Sequence, residues 1–176
     1  MFRPDEGVDT GPIVVQRGGV RIGPSDTGAS YYFEHLYAMG VDALADAVDR
    51  VADGSAELRP QDEAGASFQG LVDDSVARID WGRSGEELDR LIRGCDPQPG
   101  ALAELDGVPV RLFGQLLAGA AHGAEPGTLL EPDTQAGRLR VAAAGDCVLT
   151  LAKLKIGDAK KAPALEAGLS PGQRFV

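Results

Sequence analysis

Residues Ser84–Ala101, SGEELDRLIRGCDPQPGA, decide how the second half of this chain is built. Ser84 followed by Glu87 is a capping box, in which each side chain satisfies a backbone N–H that the first helical turn leaves free. Leu88, Leu91 and Ile92 follow at helical spacing. The pattern predicts a short helix over about residues 85–94. Pro97, Pro99 and Gly100 then stop it, because proline cannot continue the hydrogen-bond ladder.

Downstream of that stop the texture changes. Short apolar segments follow at Ala101–Leu105, Val108–Phe113, Gly114–Leu117, Leu129–Glu131, Leu139–Ala143 and Cys147–Leu154. Asp106-Gly107, Pro126-Gly127 and Gly145-Asp146 separate them as turns. Val110-Arg111-Leu112 and Leu139-Arg140-Val141 alternate in and out like half-buried strands. So many short strands in so little chain predict a small barrel or sandwich.

Upstream, Ile79-Asp80-Trp81 opens this region, with Trp81 as an apolar anchor at its start. From Gly54 to about Asp74 the chain is polar and punctuated by Pro60, Gly65 and Gly70, which predicts an extended loop or linker. Ser25, Asp26 and Thr27 offer an N-cap to a long helical stretch ending near Gly54. Tyr32, Leu36 and Met39, then Val41, Leu44, Val48 and Val51, keep helical spacing along it, and Gly40 is a candidate kink. Pro12–Gln16 (PIVVQ) reads as a strand and Val20–Ile22 as a second, shorter one.

The chain has 176 residues, enough for one medium domain or two small ones. Its net charge of −10 is uneven: residues 1–77 hold 5 basic and 14 acidic groups, residues 78–176 hold 12 and 13. The first segment is therefore a poor partner for phosphate, whereas a local basic face remains open in the second. Lys153, Lys155, Lys160 and Lys161 are its candidates, either as a solvated face or as an RNA contact. No apolar run approaches the ~18 residues of a membrane-spanning helix. The two cysteines, Cys95 and Cys147, give neither a disulfide framework nor a zinc spacing, which fits a reducing cytoplasm.

Several blocks, taken in order, resemble the folate-dependent formyltransferase family. Asp5-Glu6-Gly7-Val8-Asp9-Thr10-Gly11-Pro12-Ile13 is similar to its D-E-G-x-D-T-G-P-I block. Pro60-Gln61-Asp62-Glu63 with Gly65-Ala66-Ser67 resembles P-Q-D-E-x-G-A-T, and Ile79-Asp80-Trp81 resembles I-D-W. Leu91-Ile92-Arg93-Gly94 with Pro97-Gln98-Pro99-Gly100-Ala101 resembles I-R-x-x-x-P-x-P-G-A. Leu154-Lys155, Lys160-Lys161, Pro171-Gly172 and Phe175 fit the closing stretch.

The resemblance implies an α/β remnant of a doubly wound catalytic domain over residues 1–70, a linker over 71–77, and an OB-like β-barrel domain over 78–176. It implies 10-formyltetrahydrofolate as co-substrate, no metal, and initiator tRNA as a partner of the C-terminal domain. Asp9 takes the position of the family's catalytic Asp, and Glu6, Gly7 and Val8 that of the loop lining the pterin. Read from spacing alone, Asp9 is equally a turn residue between two glycines.

The family's catalytic Asn and His lie before that block. This chain contains no asparagine, and His35 and His122 both follow Asp9. The resemblance therefore implies an incomplete catalytic set. His35 reads as a packed or surface residue on the helix, and His122 as a solvated one in a loop. Two function classes follow. One is a formyltransferase of the methionyl-tRNA type, or a 10-formyltetrahydrofolate hydrolase. The other is a non-catalytic binding module.

Overall fold

The computed structural model describes residues 1–176, which divide into two compact units. The first comprises Met1–Pro24 and Ser30–Gly70; the second comprises Ser25–Ala29 and Leu71–Val176. No helix is long and apolar enough to cross a membrane.

In the first unit the dominant element is helical. A first turn, α1 (Gly28–Tyr31), of which Ser30 and Tyr31 belong to this unit, passes through a π-helical segment at Tyr32–Leu36 into α2 (Tyr37–Asp53). Gly40 sits inside α2, so the irregularity falls in the aromatic-rich turn before it and not at the expected glycine. Gly54 ends α2 at φ 78°, the left-handed C-terminal geometry that glycine adopts freely. Ala43 and Ala47 bury one stripe of α2 against Val15. Tyr37, Val41, Leu44, Val48 and Val51 remain exposed on another.

The expected strands at 12–16 and 20–22 do not form. Ile13 makes single bridges to Phe2 and to Arg59, with reciprocal Ile13–Arg59 backbone bonds of 2.8 and 2.9 Å. A β-branched run needs an adjacent extended chain to pair with in register, and here Met1, Arg3 and Arg59 bond to it without building a continuous ladder. Residues 1–70, expected as an α/β remnant, are thus a helix with a bridged loop layer.

The second unit carries the larger core. A short helix, α3 (Asp74–Ala77), lies in the segment expected as linker, capped by Asp73 and burying Ala77 completely. α4 (Gly85–Cys95) starts on the full Ser84–Glu87 capping box, as its sequence predicts. It buries Leu88, Ile92 and Cys95. The strands are β1 (Ala101–Leu105), β2 (Val108–Gly119), β3 (Leu129–Asp133), β4 (Arg138–Ala143), β5 (Cys147–Ile156) and β6 (Ala162–Pro163). They form one antiparallel sheet in the order β1-β2-β5-β4-β3, with β6 added to β5. Val110, Leu112, Leu149 and Leu151 face the core with Leu129, Leu139 and Val141.

The OB-like barrel expected from the sequence is corrected by this topology, because β1 and β3 are the outer strands of an open sheet and do not pair with one another. The C-terminal tail serves both edges instead. Glu104 of β1 exchanges two backbone bonds of 2.8 Å with Val176, while Leu129 of β3 bonds to Gln173 and Gly172. Between these ends Phe175 is fully buried and stacks on Trp81, with ring centroids 6.2 Å apart. Gly127, at φ 89°, passes so close that a Cβ there would collide with the Phe175 carbonyl oxygen. The small size of the sheet leaves a gap that a tail can cover and a strand pair does not.

Residues 71–176, expressed alone, are expected to fold. Their helix cap, core and edge covering all lie within that segment, apart from the Ser25–Ala29 turn. Circular dichroism should show a β-rich spectrum and a cooperative melt; a random-coil spectrum would contradict the assignment of this core.

Candidate functional site

Two concavities carry the residues singled out by the sequence. The first is built on the Asp5–Gly11 loop. The Asp5 carboxylate accepts from the Thr10 hydroxyl at 2.6 Å and from the Gly7 N–H at 3.0 Å, which pins the loop into a tight turn. The Thr10 hydroxyl, followed by the Gly7 amide, holds the Asp5 carboxyl below the ordinary aspartate value. Gly11 is required by a close approach: a Cβ there would collide with the Arg3 carbonyl oxygen.

Asp9 adopts φ 58°, a left-handed conformation that Asp tolerates better than most residues. A cavity of about 760 Å³ opens beside it, within the range of small-molecule sites. Val8, Asp9 and Thr10 form one side; Pro60–Glu63 and Gly65–Gln69 form the other. Glu6 and Gly7 do not line this cavity. Val8 is 81% exposed and Phe68 85% exposed, so two apolar side chains stand open at its walls.

Gln61 stands out in the sequence only as part of the Pro60–Glu63 block, yet its side-chain amide reaches across to the loop. Nε2 donates to the Asp9 carbonyl and to the Gly11 carbonyl, both at 2.7 Å. Nothing in local spacing signals that contact, since the partners lie about fifty residues apart.

The second concavity, about 690 Å³, lies in the second unit. Lys155, Lys161 and Arg111 line it together with Phe113 and the Pro97-Gln98-Pro99 turn. The expected lysine patch is therefore divided: Lys155 and Lys161 meet here, while Lys153 and Lys160 lie exposed outside. Lys161 sits 3.5 Å above the Phe113 ring centre and 3.9 Å from the Asp96 carboxylate. Burial lowers its pKa, against the opposing pull of Asp96. Arg111, which the lysine-based reading missed, stands opposite Lys155 across the β2–β5 ladder and pairs with Asp74. The signal for it was the Val110-Arg111-Leu112 alternation, which places Arg111 on the face away from the core.

Neither histidine lines either concavity. His35 makes an edge contact with Tyr31 at 5.5 Å. His122 is 3.0 Å from the Ala143 carbonyl and accepts the Ala124 N–H, holding its loop to β4. His122 itself is half-buried rather than solvated.

The family model described as "Formyl transferase, C-terminal domain" matches residues 72–168. The mitochondrial 10-formyltetrahydrofolate dehydrogenase of Mus musculus is 39% identical over 127 residues, 72% of this chain and 14% of that protein. A methionyl-tRNA formyltransferase from Aromatoleum aromaticum is 35% identical over 180 aligned residues, 99% of this chain and 54% of that protein. The chain thus spans about half the length of such a formyltransferase and a small part of the dehydrogenase.

Among solved structures, HypX from Aquifex aeolicus in complex with tetrahydrofolic acid superposes with a TM-score of 0.74 at 20% identity, over 94% of this chain and 28% of that one. An N-formyltransferase from Helicobacter canadensis, solved with folinic acid and dTDP-3-aminofucose, gives 0.59 at 16% identity, over 85% of this chain and 53% of that one. At these identities the likeness is one of fold.

Proposed function

Because this chain belongs to the folate-dependent formyltransferase family, through that family's C-terminal domain, we propose that it serves formyl transfer from 10-formyltetrahydrofolate to an amine acceptor, of the methionyl-tRNA formyltransferase kind. The observation that carries this reading is the similarity to a methionyl-tRNA formyltransferase along 99% of the chain, loop and C-terminal unit alike. The setting is cytoplasmic, in translation initiation.

In this reading the folate enters the cavity beside Asp9. Of the Glu6–Val8 loop only Val8 reaches this cavity, where it and Phe68 supply apolar walls for the pterin, while Glu6 and Gly7 shape the loop behind it. The acceptor amine attacks the formyl carbon, the new C–N bond forms, and the bond from that carbon to N10 breaks. The proton shed by the amine ends on N10 of the departing tetrahydrofolate, with the Asp9 carboxylate as carrier. The intermediate oxyanion needs donors such as an Asn amide or a histidine N–H. Residues 1–176 offer no asparagine and no histidine on the Asp9 loop, so the chain acts as an incomplete centre.

The C-terminal unit supplies the acceptor's contact. Lys155 and Lys161, with Lys153 and Lys160 beyond the rim, face a phosphate backbone in a region where this acidic chain gathers lysines. Binding of initiator tRNA should weaken with salt, each neutralised phosphate adding roughly 0.7–0.9 to the log–log slope. Replacing the four lysines with alanine should lower both the affinity and the slope in a filter-binding titration. Affinity indifferent to those changes, or absent at low salt, would remove tRNA as the partner of this face.

The second reading, hydrolysis of 10-formyltetrahydrofolate by water, draws on the 39% identity to the dehydrogenase. If tRNA falls as the partner of the lysine face, this reading and that of a non-catalytic binding module lead.

A further inference from the structure

The loop that carries Asp9 is held from two sides, and only one of them is local. Asp5 fixes it from within, through Gly7 and Thr10. Gln61 fixes it from outside, and its two 2.7 Å bonds fall on the carbonyls that bracket Thr10. An amide NH2 has two hydrogens, so a single side chain can serve both oxygens at once. Arg59, two residues before Gln61, exchanges backbone bonds with Ile13, two residues after Gly11. The 59–61 segment is thus tied to the loop's exit by backbone and to its apex by side chain.

We infer that Gln61 is the positioning residue for Asp9: by holding the Asp9 and Gly11 carbonyls it fixes a left-handed Asp9 against the cavity wall. This rests on the proposal that Asp9 and its cavity serve the folate. Asp9 sits at φ 58°, a sparsely populated conformation for a residue with a Cβ, which persists where the surroundings determine it. With its carbonyl held, the Asp9 Cα–Cβ direction is set before ligand arrives, and less ordering is left to the binding step. Gln61 lines the same cavity from the side that faces Asp9, so clamp and site belong to one concavity.

Chemistry makes the assignment sharply testable. Glutamate at 61 keeps the size of the side chain but turns carboxylate oxygen toward two carbonyl oxygens, an arrangement with no donor. Protonation restores one O–H donor, and the facing carbonyls should raise the pKa of that glutamate above its ordinary range. A merely space-filling role for Gln61 would show no such recovery.

The experiment uses the full chain as wild type, Gln61→Glu and Gln61→Ala, with two readouts. Amide hydrogen exchange should rise across residues 7–11 in both variants at neutral pH while α4 stays protected. Tetrahydrofolate, followed by fluorescence titration, should bind the variants roughly tenfold more weakly, consistent with two lost hydrogen bonds. The Gln61→Glu deficit should shrink as the pH falls through the raised pKa of the introduced carboxyl, whereas the Gln61→Ala deficit should not. Unchanged exchange in the loop would overturn the clamp. Increased exchange with folate binding at the wild-type level, or without recovery in Gln61→Glu, would overturn its role in positioning Asp9. If the wild type itself fails to bind tetrahydrofolate, the folate reading falls, and the exchange arm still decides whether Gln61 holds the loop.

Discussion

Phe175→Ala is expected to cost about 3–5 kcal/mol, the range for emptying a fully buried aromatic site. Phe175 has no solvent exposure, stacks on Trp81 at an interplanar angle of 10°, and belongs to the main core cluster. Its backbone N–H also bonds to Gly127, the residue whose lack of a Cβ lets the tail pass. Losing the ring loosens the tail, and with it the covering of both β1 and β3. Because a domain is stable by only ~5–15 kcal/mol, this change removes a large fraction of the total. Urea unfolding followed by far-ultraviolet circular dichroism should show the midpoint falling sharply. A midpoint within experimental error of wild type would mean that the tail is an ornament on the sheet and not a part of its core.

Residues 1–176 acting alone are expected to release no formyl group from 10-formyltetrahydrofolate, whether methionyl-tRNA or water is the acceptor. Loss of a single oxyanion donor typically costs ~10²–10³ in rate, and here neither an asparagine nor a histidine stands on the Asp9 loop. Asp9 can accept or carry a proton, but a carboxylate adds negative charge beside a developing oxyanion and cannot stabilise it. The assay follows tetrahydrofolate production with wild type and Asp9→Ala in parallel. Turnover that disappears in Asp9→Ala would show that the chain provides its own oxyanion donors, and the incomplete-centre reading would have to be abandoned.

What could be foreseen from residues was what local chemistry controls. The capping box at Ser84 and Glu87 names both of its partners within one helical turn, so α4 was legible to within a residue. The in-out alternation of Val110-Arg111-Leu112 likewise predicted both strand and facing. The covering of the sheet's edges was not legible, because it depends on Gly172–Val176 meeting residues far back in the chain, and no pattern in those residues announces a pairing. The Pro12–Gln16 run shows the opposite failure. Its β-branched residues have the propensity for a strand, but propensity needs a partner edge, and Ile13 finds only single bridges. At the candidate site, Asp9 was placed by the resemblance of its block. The clamp by Gln61 and the company of Arg111 with Lys155 and Lys161 emerged only from the fold.

The tail has a kinetic consequence as well. Its contacts with Glu104 and with Gly127–Leu129, and the stacking of Phe175 on Trp81, join segments from opposite ends of the second unit. Hairpins such as β1–β2 close over a two-residue turn, so they can form early at little entropic expense. The tail must instead wait for both edges to exist before it gains anything by docking, which makes its arrival a late event in folding and its departure an early one in unfolding. Trp81 is the chain's single tryptophan and lies on that seam. Its fluorescence in a stopped-flow experiment therefore times the last step of assembly, separately from the backbone signal of the sheet.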